Sequence, residues 1–126
     1  MYENYNPNPA AARVGDCVIR AIAKATNQTW EMVYIELALY GFMLSDLPSA
    51  NHVWGKFLKE HGFVREIIPT DCPDCYTVKR FCEDHKIGTY ILAISGHVVT
   101  VVDGNYYDTW DSGDEVPIYY WKRSGG

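Results

Sequence analysis

The sequence has little positive charge, since its 11 lysines and arginines stand against 16 aspartates and glutamates and leave a net charge of −5. Binding to nucleic acid depends on neutralising backbone phosphates, so an acidic chain is poorly suited to DNA or RNA as its main partner. An acidic membrane surface is disfavoured for the same reason. We therefore expect neither nucleic acid nor membrane among its partners, and favour a peptide or protein of neutral or basic character.

Long apolar runs, internal repeats and linker-like segments are also missing. No stretch reaches the roughly 20 apolar residues of a membrane-spanning helix, and the first 16 residues lack the basic and apolar pattern of a secretory signal. Residues 1–126 are predicted to form one domain, located in the cytoplasm. Four cysteines are too few for a disulfide scaffold, and in a reducing compartment we expect all of them to be thiols: Cys17, Cys72, Cys75 and Cys82.

What the sequence contains is a series of helical patterns followed by β patterns. The Asn-Pro pairs near the start predict an extended strap over residues 1–14. Apolar spacing predicts helices over about residues 17–25, 30–40, 50–61 and 74–85. β-Branched and apolar runs predict strands over about residues 63–68, 89–95, 97–102, 105–110 and 116–121. The expected class is α+β, with an N-terminal helical part packed on a C-terminal antiparallel sheet.

Three residues are predicted to set the helix boundaries nearest the N-terminus. Asp16 and Thr29 are good N-caps for the first and second helices, and Gly41 is expected to end the second. Cys17 then stands at the start of the first helix, where backbone N–H groups and the helix dipole stabilise a thiolate. The alternative interpretation of Cys17 is a cysteine that packs in the core as a small apolar residue.

A tight hairpin brings a histidine and an acid together on one face of the predicted sheet. Asp103-Gly104 is typical of a two-residue turn, and the numbers of directly opposed residues then add up to 207. His97 and Asp108 thereby become diagonal neighbours on one face, and a turn at Gly104-Asn105 would preserve that parity. Asp111 would point to the other face. Asp108 is therefore the preferred partner to orient the His97 ring, although His97 taken alone is also consistent with an ordinary strand histidine.

The residues GDCVIRAI at 15–22, SGHVV at 95–99 and YYDTW at 106–110 resemble the papain-like cysteine peptidases, most closely the small bacterial and phage-encoded members similar to bacteriocin-processing peptidases. The resemblance implies a helical part led by the nucleophile and packed on an antiparallel sheet that bears the base. Substrate would cross the cleft between them. Carried over by position, Cys17 is the nucleophile, His97 the general base and then acid, and Asp108 the residue that orients His97.

One position departs from that family pattern. Members often carry a glutamine about six residues before the nucleophile, where its amide helps to bind the oxyanion, and this chain has Ala11 there. The Cys17 backbone N–H is one remaining donor, and the side chains of Asn6 and Asn8 on the strap are candidates for the second. Loss of one such donor typically costs on the order of 100-fold in rate.

The other cysteines admit a metal interpretation. Cys72, Cys75, Cys82 and His85 give the spacing C-x2-C-x6-C-x2-H, whose end pairs have zinc-like separations. If Cys75 to His85 is one helix, however, Cys75 and Cys82 lie about 10.5 Å apart along its axis, too far for one zinc ion. Packed thiols are therefore favoured and no metal is expected. A redox role for the C-x-x-C pair would need a βαβ unit, which the predicted sheet does not contain.

Arginines and tryptophans near the expected cleft have two interpretations each. Arg13 and Arg20 flank the Cys17 turn, where they could hold the strap, bind an anionic group of the substrate or form ordinary surface ion pairs. Trp54 and Trp110 are candidates to line the cleft, with packing in the core as the alternative.

Taken together, these patterns predict a small cytoplasmic thiol hydrolase, a cysteine peptidase or amide-bond hydrolase, that needs no cofactor. The resemblance implies in addition an association with phage or mobile elements. The ordered set Cys17, His97 and Asp108 favours this function. The alternative is a catalytically weak papain-like binding module, an inhibitor or adaptor that acts through protein contact. The absence of the upstream glutamine favours that alternative.

Overall fold

The computed structural model describes residues 1–68 and 72–124. These residues form four α-helices, one short 3-10 turn at Pro73–Cys75 and a six-stranded sheet. The helices are α1 (Cys17–Thr26), α2 (Trp30–Leu44), α3 (Asn51–Glu60) and α4 (Val78–Asp84). The strands are β1 (Tyr2–Asn4), β2 (Phe63–Ile67), β3 (Thr89–Ile94), β4 (His97–Val102), β5 (Asn105–Asp108) and β6 (Tyr119–Arg123). The predicted α+β class is confirmed, and within the described ranges no helix is both long and apolar enough to cross a membrane.

The sheet is mixed rather than antiparallel, which corrects the prediction for its N-terminal edge. Its order is β1-β5-β4-β3-β6-β2, and β1 pairs with β5 in the parallel sense while the other neighbours are antiparallel. The strap predicted over residues 1–14 therefore begins as a strand. The rings of Tyr2 and Tyr106 lie 5.6 Å apart across this pair, which adds an aromatic contact to the three-residue ladder.

The β4–β5 hairpin has the predicted turn and register. Thr100 pairs with Tyr107 and Val102 with Asn105, so the turn residues are Asp103 and Gly104. Both turn residues have positive φ, 48° and 80°, as a type I′ turn requires. His97 begins β4 and Asp108 ends β5, so both lie at the end of the hairpin far from its turn.

α1 begins at Cys17 as predicted, whereas α2 is longer than predicted. Thr29 caps α2 by accepting a hydrogen bond from the Met32 N–H, but the helix continues through Gly41 to Leu44. The chain after α2 folds back over the helix, and a Cβ at residue 41 would lie 2.7 Å from the Asp46 carbonyl oxygen. Gly41 therefore permits a close approach of the backbone instead of ending the helix.

Helices cover both faces of the sheet. Along β3, alternate residues face opposite ways, so that Ile91 and Ala93 pack under α1, α2 and α3 while Leu92 and Ile94 pack against α4. We name the two sides the α1–α3 cluster and the α4 cluster. The molecule thus has three layers, of which the middle one is the sheet.

The cysteines correct the prediction that all four are thiols. Cys72 and Cys75 form a disulfide, whereas Cys17 and Cys82 are free. α4 begins at Val78, so Cys75 lies on the preceding turn and not on the same helix as Cys82. Among residues 1–68 and 72–124, no three histidine, cysteine or acidic side chains are grouped to hold a metal ion. His85 instead stacks on the Phe81 ring at 3.8 Å.

Candidate active site

The N-terminus of α1 presents Cys17 at the edge of the sheet. Cys17 is the first residue of the helix and is only partly buried. N–H groups in the first turn of a helix have no partner within the helix, so they favour a negative charge at this point. The Val98 N–H hydrogen bonds to the sulfur from β4. The thiol is thus accessible and surrounded by backbone dipoles that stabilise a thiolate.

His97 stands between Cys17 and Asp108. Its Nε2 lies 2.6 Å from the Asp108 Oδ2, and its ring hydrogen bonds to the Cys17 sulfur as well. Because Asp108 engages Nε2, Nδ1 is the nitrogen left for the thiol. The Trp110 ring packs against the imidazole at 4.9 Å and restrains it further. The pair predicted from the register of the β4–β5 hairpin is therefore in direct contact, with the Asp108 carboxylate bonded to the His97 ring.

Hydrogen bonds within the site shift the pKa values of Cys17 and His97 in opposite directions. Burial alone would raise the pKa of the Cys17 thiol, but the hydrogen bond and charge of His97, with the Val98 N–H, lower it below its usual value. Burial would lower the pKa of His97, yet its hydrogen bonds to Asp108 and Cys17 raise the pKa to about 9. The shifts favour a thiolate paired with an imidazolium.

Asp108 is fully buried and accepts hydrogen bonds from four donors. Oδ2 accepts from His97 and from the Ser112 hydroxyl at 2.7 Å, while Oδ1 accepts from Arg20 at 3.0 Å and from the Thr109 N–H at 2.8 Å. Burial would raise the pKa of Asp108, but its bonds to His97 and Ser112 hold it below its usual value. The carboxylate is therefore kept ionised and fixed in orientation.

Arg20 connects Asp108 to the start of α1. Its guanidinium donates to Asp108 and, at 2.7 Å, to Asp16, and all three side chains are buried. Asp16 also accepts a 2.8 Å hydrogen bond from the Trp30 Nε1. Asp16 stands at the N-cap position of α1 but makes no capping bond with its side chain. Asp16, which was predicted to cap α1 with its side chain, instead forms an ion pair with Arg20. The ion pairs of Arg20 are buried, whereas a surface ion pair was one of the expectations for this residue.

The Arg20 connection had one signal in the sequence. Asp16 and Arg20 are four residues apart, the spacing at which helical side chains meet. Nothing local indicates that Asp108 joins them, because that contact spans 88 residues. Ser112 carries no signal either, since it lies between two predicted strands and outside every predicted helix or strand.

A cleft of about 480 Å³ opens beside the sulfur. Helical and sheet residues both line it: Gly15, Cys17, Val18, Ser49, Asn51, Trp54, Ala93, Ile94, Ser95, Gly96, His97, Val98, Ile118 and Tyr119. Trp54 fits both interpretations given for it, since it lies in the cleft wall and also belongs to the α1–α3 cluster. Asn51, which the sequence analysis did not single out, lines the cleft and accepts a hydrogen bond from the Trp54 Nε1 at 3.2 Å.

The other candidates on the strap do not line this cleft. The Asn6 amide donates to the Ala12 carbonyl, and the Asn8 side chain accepts from the N–H groups of Ala10 and Ala12. Both asparagines thus stabilise the loop that leads to α1, and neither is among the residues that line the cleft. Arg13 is exposed and donates to the Thr109 carbonyl at 2.9 Å, so it ties the loop to the residue after β5.

The arrangement supplies three of the elements of covalent acyl chemistry: an activated nucleophile, a proton carrier and a residue that orients the carrier. The first N–H of α1 adds one donor for a developing oxyanion. No protein-family model, curated protein or solved structure matches this chain. The geometry of its own residues therefore carries the functional conclusion.

Proposed function

We propose that this chain is a small papain-like thiol hydrolase that cleaves an amide or isopeptide bond. The observation that carries the proposal is the continuous contact from the Cys17 thiol through the His97 ring to the buried Asp108 carboxylate, beside an open cleft. A helix led by the nucleophile and a sheet that bears the base also support the papain-like arrangement that the sequence resembles.

The proposed reaction begins with the thiolate–imidazolium pair. The Cys17 thiolate attacks the carbonyl carbon of the scissile bond, and the first N–H of α1 stabilises the oxyanion. His97 gives its proton to the nitrogen of the leaving amine, the C–N bond breaks and a thioester remains. His97 then takes a proton from water, the hydroxide displaces the thiolate, and the acid is released.

The neighbours of His97 have distinct tasks in this scheme. Asp108 fixes the imidazole tautomer and stabilises the imidazolium, while Arg20 and Ser112 hold Asp108 in place. The substrate is proposed to be a peptide or protein of neutral or basic character, because the chain carries a net charge of −5. The same residues could transfer the acyl group to an amine, or release ammonia from a carboxamide.

Selective alkylation tests the proposal at the nucleophile. Cys82 provides an internal control, because burial raises its pKa to about 11 and Cys72 and Cys75 are bonded to each other. At pH 6, iodoacetamide is expected to modify Cys17 much faster than Cys82, and His97→Ala should remove most of that difference. Equal slow labelling of both thiols in the wild-type chain would contradict the proposal.

Turnover is then measured with a peptide mixture by mass spectrometry. Hydrolysis gives two fragments, loss of ammonia gives a one-dalton gain, and acyl transfer gives a joined product, so the three outcomes are distinguishable. Cys17→Ala should abolish whichever product the wild-type chain forms. A wild-type chain that alkylates selectively but converts no peptide would support the second candidate function below.

The second candidate is a binding module that retains the site but turns over poorly. One observation favours it: Ala11 replaces the usual amide, and Asn6 and Asn8 are bound to their own loop. Such a chain would bind peptide equally well with Cys17→Ala. An inactive wild-type chain whose peptide affinity is unchanged by Cys17→Ala would favour this candidate over the hydrolase.

A further inference from the structure

A second cavity lies beside the start of α1, within the helical part of the chain. It has a volume of about 190 Å³ and lies between α1, α2 and the segment that joins α2 to α3. We call it the α1–α2 pocket, and most of its wall is apolar: Val18, Ile19, Tyr34, Leu37, Ala38 and Pro48. Protein interiors are normally packed without voids of this size, so the pocket has room for a side chain that comes from outside the chain.

The α1–α2 pocket adjoins the proposed nucleophile. Gly15, Val18 and Ser49 line both this pocket and the cleft beside the Cys17 sulfur. Gly15 and Ser49 are exposed, and a Cβ at residue 15 would meet no atom within 4 Å apart from its chain neighbours, so the shared wall is open there. An extended peptide advances at most about 3.6 Å per residue. A peptide whose carbonyl lies at the sulfur therefore has a neighbouring side chain within reach of the pocket.

The charge balance of the pocket favours an apolar occupant. Asp16 also lines the pocket, but its carboxylate accepts hydrogen bonds from Arg20 at 2.7 Å and from the Trp30 Nε1 at 2.8 Å. Arg20 balances its negative charge, so a lysine or arginine of the substrate would enter without a free counter-ion. A substrate carboxylate would meet the like charge of Asp16. Burying a charge without a partner is costly, whereas burying an apolar side chain is favourable.

The volume of the pocket sets the size of that occupant. An apolar cavity of about 150 Å³ binds one benzene molecule, so about 190 Å³ suits a single leucine- or phenylalanine-sized side chain. We propose, on the basis of the hydrolase function above, that the α1–α2 pocket is a specificity subsite for one apolar side chain next to the bond that Cys17 attacks. The substrate class is then a peptide with a large aliphatic or aromatic residue beside the scissile bond.

Affinity labels that differ only in their side chain test the subsite at Cys17. Chloromethyl ketones of acetylated leucine, lysine and glycine place the side chain before the reacting carbonyl, and iodoacetyl derivatives of leucinamide, lysinamide and glycinamide place it after. In each case the thiolate displaces the halide and forms a C–S bond. Rates at pH 6 are followed by mass spectrometry and divided by the rates with glutathione. In one of the two series, the leucine probe should react about 10- to 100-fold faster than the glycine probe, as burial of one large apolar side chain gives.

Substitutions in α2 fill or open the pocket. Ala38→Phe places a ring in the pocket and should remove most of the leucine advantage. Leu39→Phe is the matched control, because Leu39 is the next residue of α2, is 56 % exposed and lies outside the pocket, and it should keep the wild-type ratio. If near-UV circular dichroism shows that Ala38→Phe is not folded, Tyr34→Ala replaces it. Tyr34 is 52 % exposed, and loss of its ring removes part of the wall and should also lower the leucine advantage.

The outcomes separate the subsite from the hydrolase function. A Cys17 that reacts with iodoacetamide no faster than Cys82 would contradict the hydrolase and the subsite together. A Cys17 that reacts selectively with iodoacetamide, but equally fast with the leucine and glycine probes of both series, would overturn the subsite alone. So would a lysine probe that reacts faster than its leucine counterpart, or a leucine advantage that folded Ala38→Phe leaves undiminished.

Discussion

Three ionisable side chains of the candidate site control one another's protonation. His97 shares hydrogen bonds with both Cys17 and Asp108, so its positive charge stabilises an anion on each side. Asp108 in turn is held ionised, which keeps the imidazolium favourable although it is partly buried. An isolated thiol and imidazole would both be largely neutral at pH 7, whereas these contacts favour the charged pair.

This coupling predicts a specific pH profile. The pKa of Cys17 is lowered, so its thiolate forms below the pH at which an ordinary thiol ionises, and His97 stays protonated up to a pKa of about 9. The rate of peptide hydrolysis should therefore be level through neutral pH and fall as the pH passes about 9, where His97 loses the proton that the leaving amine requires. Alkylation of Cys17 should not fall there, because it needs only the thiolate.

The variant His97→Ala tests the two roles of the imidazole, which are to lower the pKa of Cys17 and to protonate the leaving amine. The onset of Cys17 alkylation should move to higher pH, since the hydrogen bond and the charge that lower its pKa are lost, and hydrolysis should fall by about 100-fold or more. The measurement is the alkylation rate at a series of pH values, followed by mass spectrometry. An unchanged onset in His97→Ala would mean that the imidazole does not activate the thiol.

Arg20 is the cation that two buried carboxylates share, and its removal is expected to be costly. Arg20→Met leaves Asp16 and Asp108 without their common partner in the interior, and breaking a buried ion pair in this way typically costs about 3–5 kcal/mol. Lys56→Met is the control, because the Lys56–Glu60 pair on α3 is exposed and solvent-screened surface pairs of this kind contribute little to stability. Urea unfolding measures the free energy of unfolding of both variants. Equal losses of stability in the two would show that Arg20 does not support the site electrostatically.

At the scale of elements, the hairpin and the start of α1 could be predicted because local rules determine them. Asp103 and Gly104 allow few turns, and the parity of the two strands then places His97 and Asp108 on one face. The helical spacing after Asp16 similarly places Cys17 at a helix start. These two elements contain Cys17, His97 and Asp108, so the core of the candidate site could be predicted from the sequence.

Other elements depend on contacts that are distant in sequence, and the predictions for them were incomplete or wrong. β1 has three residues and forms only because β5 offers its edge. Gly41 lies inside α2 because a later segment packs against it. Arg20 is buried because Asp108 approaches it from another element. Local propensity carries no information about contacts that are distant in sequence. The sequence therefore predicted an extended strap over residues 1–14, a helix end at Gly41 and a surface ion pair for Arg20.

At the scale of the molecule, the sheet joins two apolar clusters that do not mix. Trp54 and Trp121 belong to the α1–α3 cluster, and among the described residues no tryptophan belongs to the α4 cluster, which holds Tyr76, Tyr106 and Tyr120. Tryptophan therefore reports on the α1–α3 cluster, whereas the tyrosines report on both sides of the sheet, because Tyr40 and Tyr119 pack against the α1–α3 cluster. Neither cluster is independent, however, because alternate residues of the same strands supply both.

This shared sheet predicts one cooperative unfolding transition. Tryptophan fluorescence and second-derivative tyrosine absorbance should give the same urea midpoint, as a single domain of this size normally does. Phe81→Ala provides the sharper test, since Phe81 is fully buried in the α4 cluster and its truncation should cost about 3–5 kcal/mol. The urea midpoints from both probes should decrease together, because β3 contributes residues to both clusters and cannot unfold on one face only. A tyrosine midpoint that falls while the tryptophan midpoint stays would show that the two faces unfold separately, and Cys17 and His97 would then depend on the α1–α3 side alone.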